Sequence, residues 1–224
     1  MTRPPKVWTV VVGGGSGQRF GRPKQYETLG DERVIDRAAR IARVVSDGTV
    51  VVVPAADAVA EHAVAGGASR SASVRAGLEH VPEDADVICV HDAARPFATE
   101  SLYRRVIEAV VQGADAAIPG LAVTDTIKVV DDGAVVVCTP DRASLRAVQT
   151  PQAFDATRLR AAHRGGADAT DDAALIEAGG GRVVVVAGEP LNRKITHVDD
   201  LEWARALVLA ERAPDPQSDP LVGG

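Results

Sequence analysis

The chain opens on a nearly uninterrupted apolar run, Val7 to Val12, followed by Gly13-Gly14-Gly15-Ser16-Gly17 and then by apolar positions at Val34, Ile35, Ala38, Ile41 and Val45. The first pattern predicts a strand covered on both faces and the second one face of a 3.6-residue helix. Thr49 to Val53 and Asp86 to Val90 are further short apolar runs, and helix-like stretches over 70–81 and 100–112 alternate with them. This alternation predicts an α/β fold, a doubly wound and mostly parallel sheet.

The rhythm breaks over 115–149, where Ala122 to Val130 and Ala134 to Thr139 flank Asp131-Asp132-Gly133. That is a hairpin signal and not a crossover, so a β-arm at about 121–149 is expected to protrude from the core. After Pro151 the spacing predicts a helix near 155–164, another from about 171, a strand at 182–187 and a last helix at 199–212. One domain over 1–212 is expected, with 213–224 a disordered tail.

With 224 residues, 46% of them hydrophobic, the chain is long enough to bury a full core. Apolar runs such as Val50 to Val53 and Val183 to Ala187 are far shorter than a bilayer needs, and no charged-then-apolar leader opens the chain. A cytoplasmic protein without a membrane partner is expected. Cys89 and Cys138 each sit in an apolar segment, which predicts buried small hydrophobes and neither a disulfide nor a metal site.

A net charge of −6 argues against a nucleic-acid partner. Residues 1–26 nevertheless carry Arg3, Lys6, Arg19, Arg22 and Lys24 with no acid, so something anionic is expected there. Lysine is scarce, at positions 6, 24, 128 and 194 only.

Glycines after a strand let backbone N–H groups approach phosphate oxygens where a Cβ would obstruct them, and Arg19 and Lys24 add full positive charges. A glycine-rich turn of purely structural origin is the alternative. The GxGxxG pattern fails at Gln18 or Phe20, and no Gly-Lys-Ser/Thr is present, so neither a dehydrogenase nor a P-loop is indicated. Asp92 follows an expected strand at the end where open α/β sheets place ligand crevices; a helix-capping aspartate is the plainer reading.

Gly15-x-Gly17-x-Arg19, Pro23-Lys24-Gln25-Tyr26 and His91-Asp92-Ala93-Ala94-Arg95-Pro96 together resemble the 2-C-methyl-D-erythritol 4-phosphate cytidylyltransferase family. Asp125-Thr126-Ile127-Lys128, Thr150-Pro151-Gln152 and Lys194-Ile195-Thr196 follow in that family's order, and the similarity runs from residue 7 to about 210. The resemblance implies a Rossmann-like nucleotidyltransferase sheet and transfer of CMP from CTP to methylerythritol phosphate, with Mg2+, on the way to isoprenoid precursors.

It implies catalytic roles for Arg19 and Lys24 at the leaving phosphates and for Lys194 at the α-phosphate. Gly13, Gly14, Gly15 and Gly17 would cradle the nucleotide, Gly66, Gly67 and Ser73 the cytosine, and Asp92 and Arg95 the ribose or acceptor. Thr126, Arg142 and Thr170 would reach the acceptor, the two arm residues from a neighbouring subunit, which implies a homodimer through the β-arm.

Plainer readings stand beside these. Gly66-Gly67 reads as a turn before a helix capped by Ser69 or Ser71, and Thr170-Asp171-Asp172 as an N-cap. Thr126 reads as a strand former, Arg142 as a solvated charge and His91 as structural. Where the family resembles Pro-Ala-Ala-Gly this chain has Val12-Gly13-Gly14-Gly15, a glycine pair also found in ribitol phosphate cytidylyltransferases. A ribitol-phosphate acceptor is therefore the second expectation, ahead of a catalytically silent nucleotide-binding protein and a sugar-1-phosphate nucleotidyltransferase.

Overall fold

A computed structural model describes residues 3–14, 20–21, 23–169 and 171–212. Strand β1 (Val7–Val12) is followed by a 3-10 turn at Lys24–Tyr26, the short pair β2 (Thr28–Leu29) and β3 (Glu32–Arg33), and helix α1 (Val34–Val45). Then come β4 (Gly48–Val53), β5 (Val64–Ala65), α2 (Arg70–Leu78), β6 (Val87–Asp92) and α3 (Glu100–Val111). The second half contains β7 (Ala116–Ala122), β8 (Val129–Val130), β9 (Val136–Cys138), β10 (Arg146–Val148) and β11 (Gln152–Asp155). It closes with α4 (Ala156–His163), α5 (Asp172–Ala178), β12 (Val183–Ala187) and α6 (Val198–Arg212).

The main sheet pairs in the order β10-β7-β11-β6-β1-β4-β5, with β12 also on β7. Strands β6, β1, β4 and β5 run parallel, as do β7 and β12. Strand β11 lies antiparallel between β6 and β7, and β10 is antiparallel to β7. Ala116 and Ala117 pair with both β11 and β12, and Gly120 with both β10 and β12. Strand β12 therefore takes one edge of β7 while β10 and β11 share the other.

Two apolar layers cover the sheet, and strand alternation assigns residues between them. Val7 and Val11 of β1 join Cys89, Leu102, Tyr103 and the Ile35, Ala38 and Ala42 face of α1. Val10 joins Val52, Val74, Ile88, Phe154 and Leu159 on the opposite side. A third cluster packs Leu201, Ala204 and Val208 of α6 against Leu29, Phe97 and Ile195. Ser69 and Thr99 cap α2 and α3 by accepting the N–H groups of Ala72 and Leu102 at 3.0 and 3.1 Å.

The arm is shorter than the sequence pattern suggests. Ala116–Ala122 is a strand of the central sheet, buried over its first four residues, and β10 returns to that sheet at Arg146. Only Val129–Val130 and Val136–Cys138 pair in the outlying hairpin. Its turn does fall at Asp131, whose Oδ1 accepts the N–H groups of Gly133 and Val135 at 3.0 and 2.9 Å, while Ala134 adopts a positive φ of 60°.

Cys138 is exposed, against the expectation of burial, because this hairpin packs on neither apolar layer; Cys89 is buried in β6 as expected. The basic opening also divides. Arg3 pairs with Asp86 at 2.7 Å, and Lys6 with Asp84, at the start of β1. A six-residue strand, roughly 20 Å long, separates them from Lys24's end of the sheet. The expected tail at 213–224 lies outside the described residues.

Candidate active site

A cavity of about 290 Å3 opens at the carboxyl ends of β1 and β6. Val12 and Gly13 line it from β1, Asp92, Ala93 and Ala94 from β6 and its exit, Lys24 and Gln25 from the 3-10 turn, Arg70 from the start of α2, and Lys194 from the segment after β12. A larger groove of about 520 Å3 lies among Arg37, Phe97, Leu191 and Leu207. It holds none of the candidate residues, and the convergent charges mark the smaller cavity as the chemical one.

Asp92 is the hub. One carboxylate oxygen accepts from Lys194 Nζ at 2.6 Å and the other from Arg70 Nε at 3.1 Å. Burial pushes its pKa up, but the charges of Arg70 and Lys194 outweigh it and hold the carboxyl well below the usual range. Arg70 is shifted the other way: burial opposes its charge, and the Asp92 and Asp172 carboxylates more than restore it. Asp92 caps no helix, since the N-cap of α3 is Thr99.

The segment carrying Lys194 is fixed by a buried polar unit. Asn192, fully buried, donates from Nδ2 to the Thr150 carbonyl at 2.8 Å, and its own carbonyl accepts from Arg95 at 2.9 Å and Gln149 at 3.2 Å. Ile195 N–H donates to the Ala94 carbonyl at 2.8 Å. Thr150 Oγ1 accepts the Asp92 N–H at 3.0 Å and lies 3.1 Å from His91 Nδ1, while His91 Nε2 faces the Arg95 carbonyl at 3.1 Å. These partners assign a neutral ring with the proton on Nε2. Burial, the largest cause, lowers the His91 pKa to about 4. His91 is structural, as its plainer reading holds.

Arg95 spends its guanidinium on the Asn192 and Val148 carbonyls, at 2.9 and 3.2 Å. It braces the loop that delivers Lys194, and it does not line the cavity.

The glycines close the other wall. A Cβ on Gly14 or Gly66 would stand 3.0 or 2.8 Å from Ser73 Oγ, and one on Gly67 would meet Ala72 Cβ at 2.5 Å. Ser73 Oγ itself donates to the Ser69 carbonyl at 3.0 Å. Both loops are therefore drawn onto the first turn of α2, the helix that supplies Arg70. At Gly13 a Cβ would fall 2.9 Å from Ile35 Cδ1, the movable end of a side chain, and 3.3 Å from the Val52 carbonyl oxygen.

Thr126 and Arg142 are exposed on the arm, and Arg142 donates to the Thr124 carbonyl at 2.7 Å. Neither lines the cavity of its own chain. Arg19, Gly15, Gly17 and Thr170 lie outside the described residues. Beside Thr170, Asp171 is the N-cap of α5, accepting the Ala174 N–H at 3.0 Å. Sequence reasoning placed Arg70 only as a companion of the Gly66-Gly67 loop that resembles a cytosine-recognising one, and left Asn192 unassigned. Arg70 carried a signal, a lone cation three residues after Gly67 at a helix start, whereas Asn192 acts only through backbone groups distant in sequence.

The pattern describing the 2-C-methyl-D-erythritol 4-phosphate cytidylyltransferase family matches residues 7–210. A protein of that name from Rhodococcus jostii is 46% identical over 218 residues, covering 90% of this chain and 95% of its own. A bifunctional IspD/IspF enzyme from Anaeromyxobacter dehalogenans is 44% identical over 230 residues, covering 94% of this chain, which spans 59% of that enzyme's length. Among solved structures, 4-diphosphocytidyl-2C-methyl-D-erythritol synthase from Anaerococcus prevotii is similar with a TM-score of 0.80 at 28% identity, covering 92% of this chain and 99% of that one. By these matches the chain belongs to the 2-C-methyl-D-erythritol 4-phosphate cytidylyltransferase family of CTP-dependent nucleotidyltransferases.

Proposed function

We propose that this chain transfers CMP from CTP to 2-C-methyl-D-erythritol 4-phosphate and releases pyrophosphate, in the non-mevalonate route to isoprenoid precursors. The observation that carries this reading is the convergence of Lys24, Arg70 and Lys194 with Asp92 around one cavity at the strand ends. Three cations suit a triphosphate meeting a second phosphate, and a single ionised carboxylate suits a ribose or polyol hydroxyl.

An oxygen of the acceptor phosphate attacks the α-phosphorus of CTP. The new P–O bond forms as the bond to the β-phosphate breaks, and pyrophosphate leaves with the electron pair. A phosphate monoester, with a second pKa of about 6, is largely ionised at neutral pH, so no general base is needed. The engagement of both His91 ring nitrogens accords with that. Lys194, held on Asp92 in this structure, would neutralise the α-phosphate, and Lys24, with Arg19, the leaving phosphates.

Magnesium belongs to the same reading as a partner of the triphosphate, since both Asp92 oxygens already accept from Lys194 and Arg70. Asp92 is the one acidic side chain among the described residues lining the cavity, and magnesium is commonly held by substrate phosphates with one or two carboxylates. Bound there, it would neutralise charge on the triphosphate, chiefly through phosphate oxygens.

A homodimer through the arm belongs to the same reading. Val130, Val135, Val136 and Val137 are each more than half exposed, a surface whose burial against a second copy would carry Thr126 and Arg142 to a neighbouring cavity. A cytoplasmic setting follows from the supply of CTP. No helix of the described residues is long and apolar enough to cross a membrane.

Pyrophosphate release by the purified chain with CTP and magnesium tests this, with methylerythritol phosphate, ribitol phosphate and glucose-1-phosphate as rival acceptors. Release with methylerythritol phosphate is expected; turnover with ribitol phosphate instead would overturn the acceptor assignment.

A further inference from the structure

Behind the cavity a line of alternating charge runs into the protein. From Lys194 and Asp92 it passes to Arg70, whose NH1 donates to Asp172 Oδ2 at 2.6 Å, and from Asp172 Oδ1 to His163 Nε2 at 3.1 Å. Asp172 is wholly buried and His163 is 4% exposed. The two halves of the Arg70 guanidinium therefore do different work. Its Nε edge faces Asp92 in the cavity and its NH1 faces a carboxylate inside the fold.

A buried ion pair is a poor way to gain stability, because the cost of desolvating two charges rivals their attraction, and apolar residues of similar volume often serve as well. What such a pair does supply is orientation, since a planar fork held at one edge presents the other at a fixed angle. Asp172 need not cap α5, because Asp171 already does so. Its two oxygens are given to Arg70, which begins α2, and to His163, which ends α4.

We propose that Asp172 and His163 are positioning residues for the nucleotidyl transfer: His163 orients the Asp172 carboxylate, which holds Arg70 so that its Nε edge meets Asp92 beside Lys194. The inference rests on the function proposed above. Asp172 is the direct anchor of Arg70. His163 acts one step further back, by donating its Nε2 proton to Asp172 and leaving the second oxygen aimed at Arg70. Loss of that donor leaves a buried carboxylate oxygen to seek another partner, and Arg70 is the nearest cation to it.

Two readouts separate this from mere packing and from failure of the proposed function. Binding of CTP with magnesium by titration calorimetry requires no turnover, and steady-state kinetics with methylerythritol phosphate follow the reaction. For His163→Phe, chosen to keep the ring volume and remove the donor, CTP affinity or kcat per folded molecule is expected to fall at least fivefold, with His163→Gln restoring most of it. Asp172→Asn is expected to behave like His163→Phe. Arg70→Lys combined with His163→Phe is expected to be no worse than Arg70→Lys alone, because the histidine acts only through the fork.

Folded His163→Phe protein with unchanged CTP affinity, KM and kcat would overturn the inference. So would additive losses in the double variant. Failure of the wild type to turn over methylerythritol phosphate, with CTP binding intact, would instead remove the acceptor assignment, and the same variants would still decide the positioning role through CTP affinity. If His163→Phe does not fold, the Arg70→Lys and Asp172→Asn pair carries the same cycle.

Discussion

Lys194 Nζ lies 2.6 Å from Asp92 Oδ2, joining the segment after β12 to the last residue of β6 across 102 positions of sequence. The pair holds a cation at the edge of the cavity, and in the proposed reaction the α-phosphate would compete with the carboxylate for it. Asp92 keeps Arg70 as a partner when Lys194 turns away, so the exchange leaves no buried charge alone.

Lys194→Ala is accordingly expected to fold and to lose activity. Removing one preorganised charge from a phosphoryl-transfer site costs on the order of 10²–10³ in kcat. Pyrophosphate release measured beside a thermal melt checks this, and full activity with an unchanged melt would remove Lys194 from the mechanism.

His91 makes stability depend on pH. Its folded pKa of about 4 lies below the unfolded value of about 6.5, and burial is the main cause. Between those values the unfolded chain binds the proton and the folded chain does not. The stability is therefore fully present above about pH 6.5 and is lost as pH falls through about 4, a contribution on the order of 3 kcal/mol. Urea unfolding at pH 7, 6, 5 and 4 should show this slope in the wild type and a shallower one in His91→Gln.

The loop at Gly66 and Gly67 has little room. A Cβ at Gly67 would stand 2.5 Å from Ala72 Cβ and 3.2 Å from the Ala72 carbonyl carbon, so Gly67→Ala must push the loop off the first turn of α2. Overpacking of this kind costs about 1–3 kcal/mol. A lowered melting temperature is expected, together with a raised KM for CTP; an unchanged KM would detach this loop from nucleotide recognition.

Asn192 offers a separate test of the loop that delivers Lys194. Asn192→Ala leaves the Thr150 carbonyl without its side-chain donor in a buried place, at about 1–3 kcal/mol. Denaturant midpoints should fall by that amount, and kcat should fall further than the folded fraction explains.

The shared-site idea is decided by mixing. If Arg142 acts in the neighbouring subunit, Arg142→Ala and Lys194→Ala proteins, each inactive, should regain about a quarter of wild-type activity when subunits exchange, since half the dimers then hold one complete site. Val137→Asp, placed in the exposed hairpin, should shift sedimentation toward monomer. Absence of rescue in mixed dimers would place Arg142 in its own subunit.

Local pattern carried much of this protein. Val7–Val12 and Val34–Val45 emerge where their periodicities predict, because a strand covered on both faces and a one-faced helix leave unmistakable spacings of apolar residues. The placement of Asp92 followed as well, since a motif at the end of a parallel strand opens onto the crevice whatever the rest of the chain does.

Other features depend on partners that no local spacing reveals. Gln152–Asp155 is a four-residue strand directly after Pro151, and only the gap between β6 and β7 makes it one. Ala116–Ala122 contains Pro119, normally a sign against an interior strand. It is tolerated because the Pro119 carbonyl meets Gln149 N–H where β10 ends and β11 has not begun, so the missing donor falls at a break in the ladder.

The sequence by itself determined the family, the alternating sheet and most of the charges at its rim, because those rest on short spacings and on residue types with one chemical use. Tertiary structure alone decided that Arg95 braces a loop, that Cys138 meets solvent, and that Arg70 stands between Asp92 and a buried Asp172. Those outcomes depend on which distant groups share a desolvated space, where an unpartnered charge is costly. Residue spacing does not record that geometry.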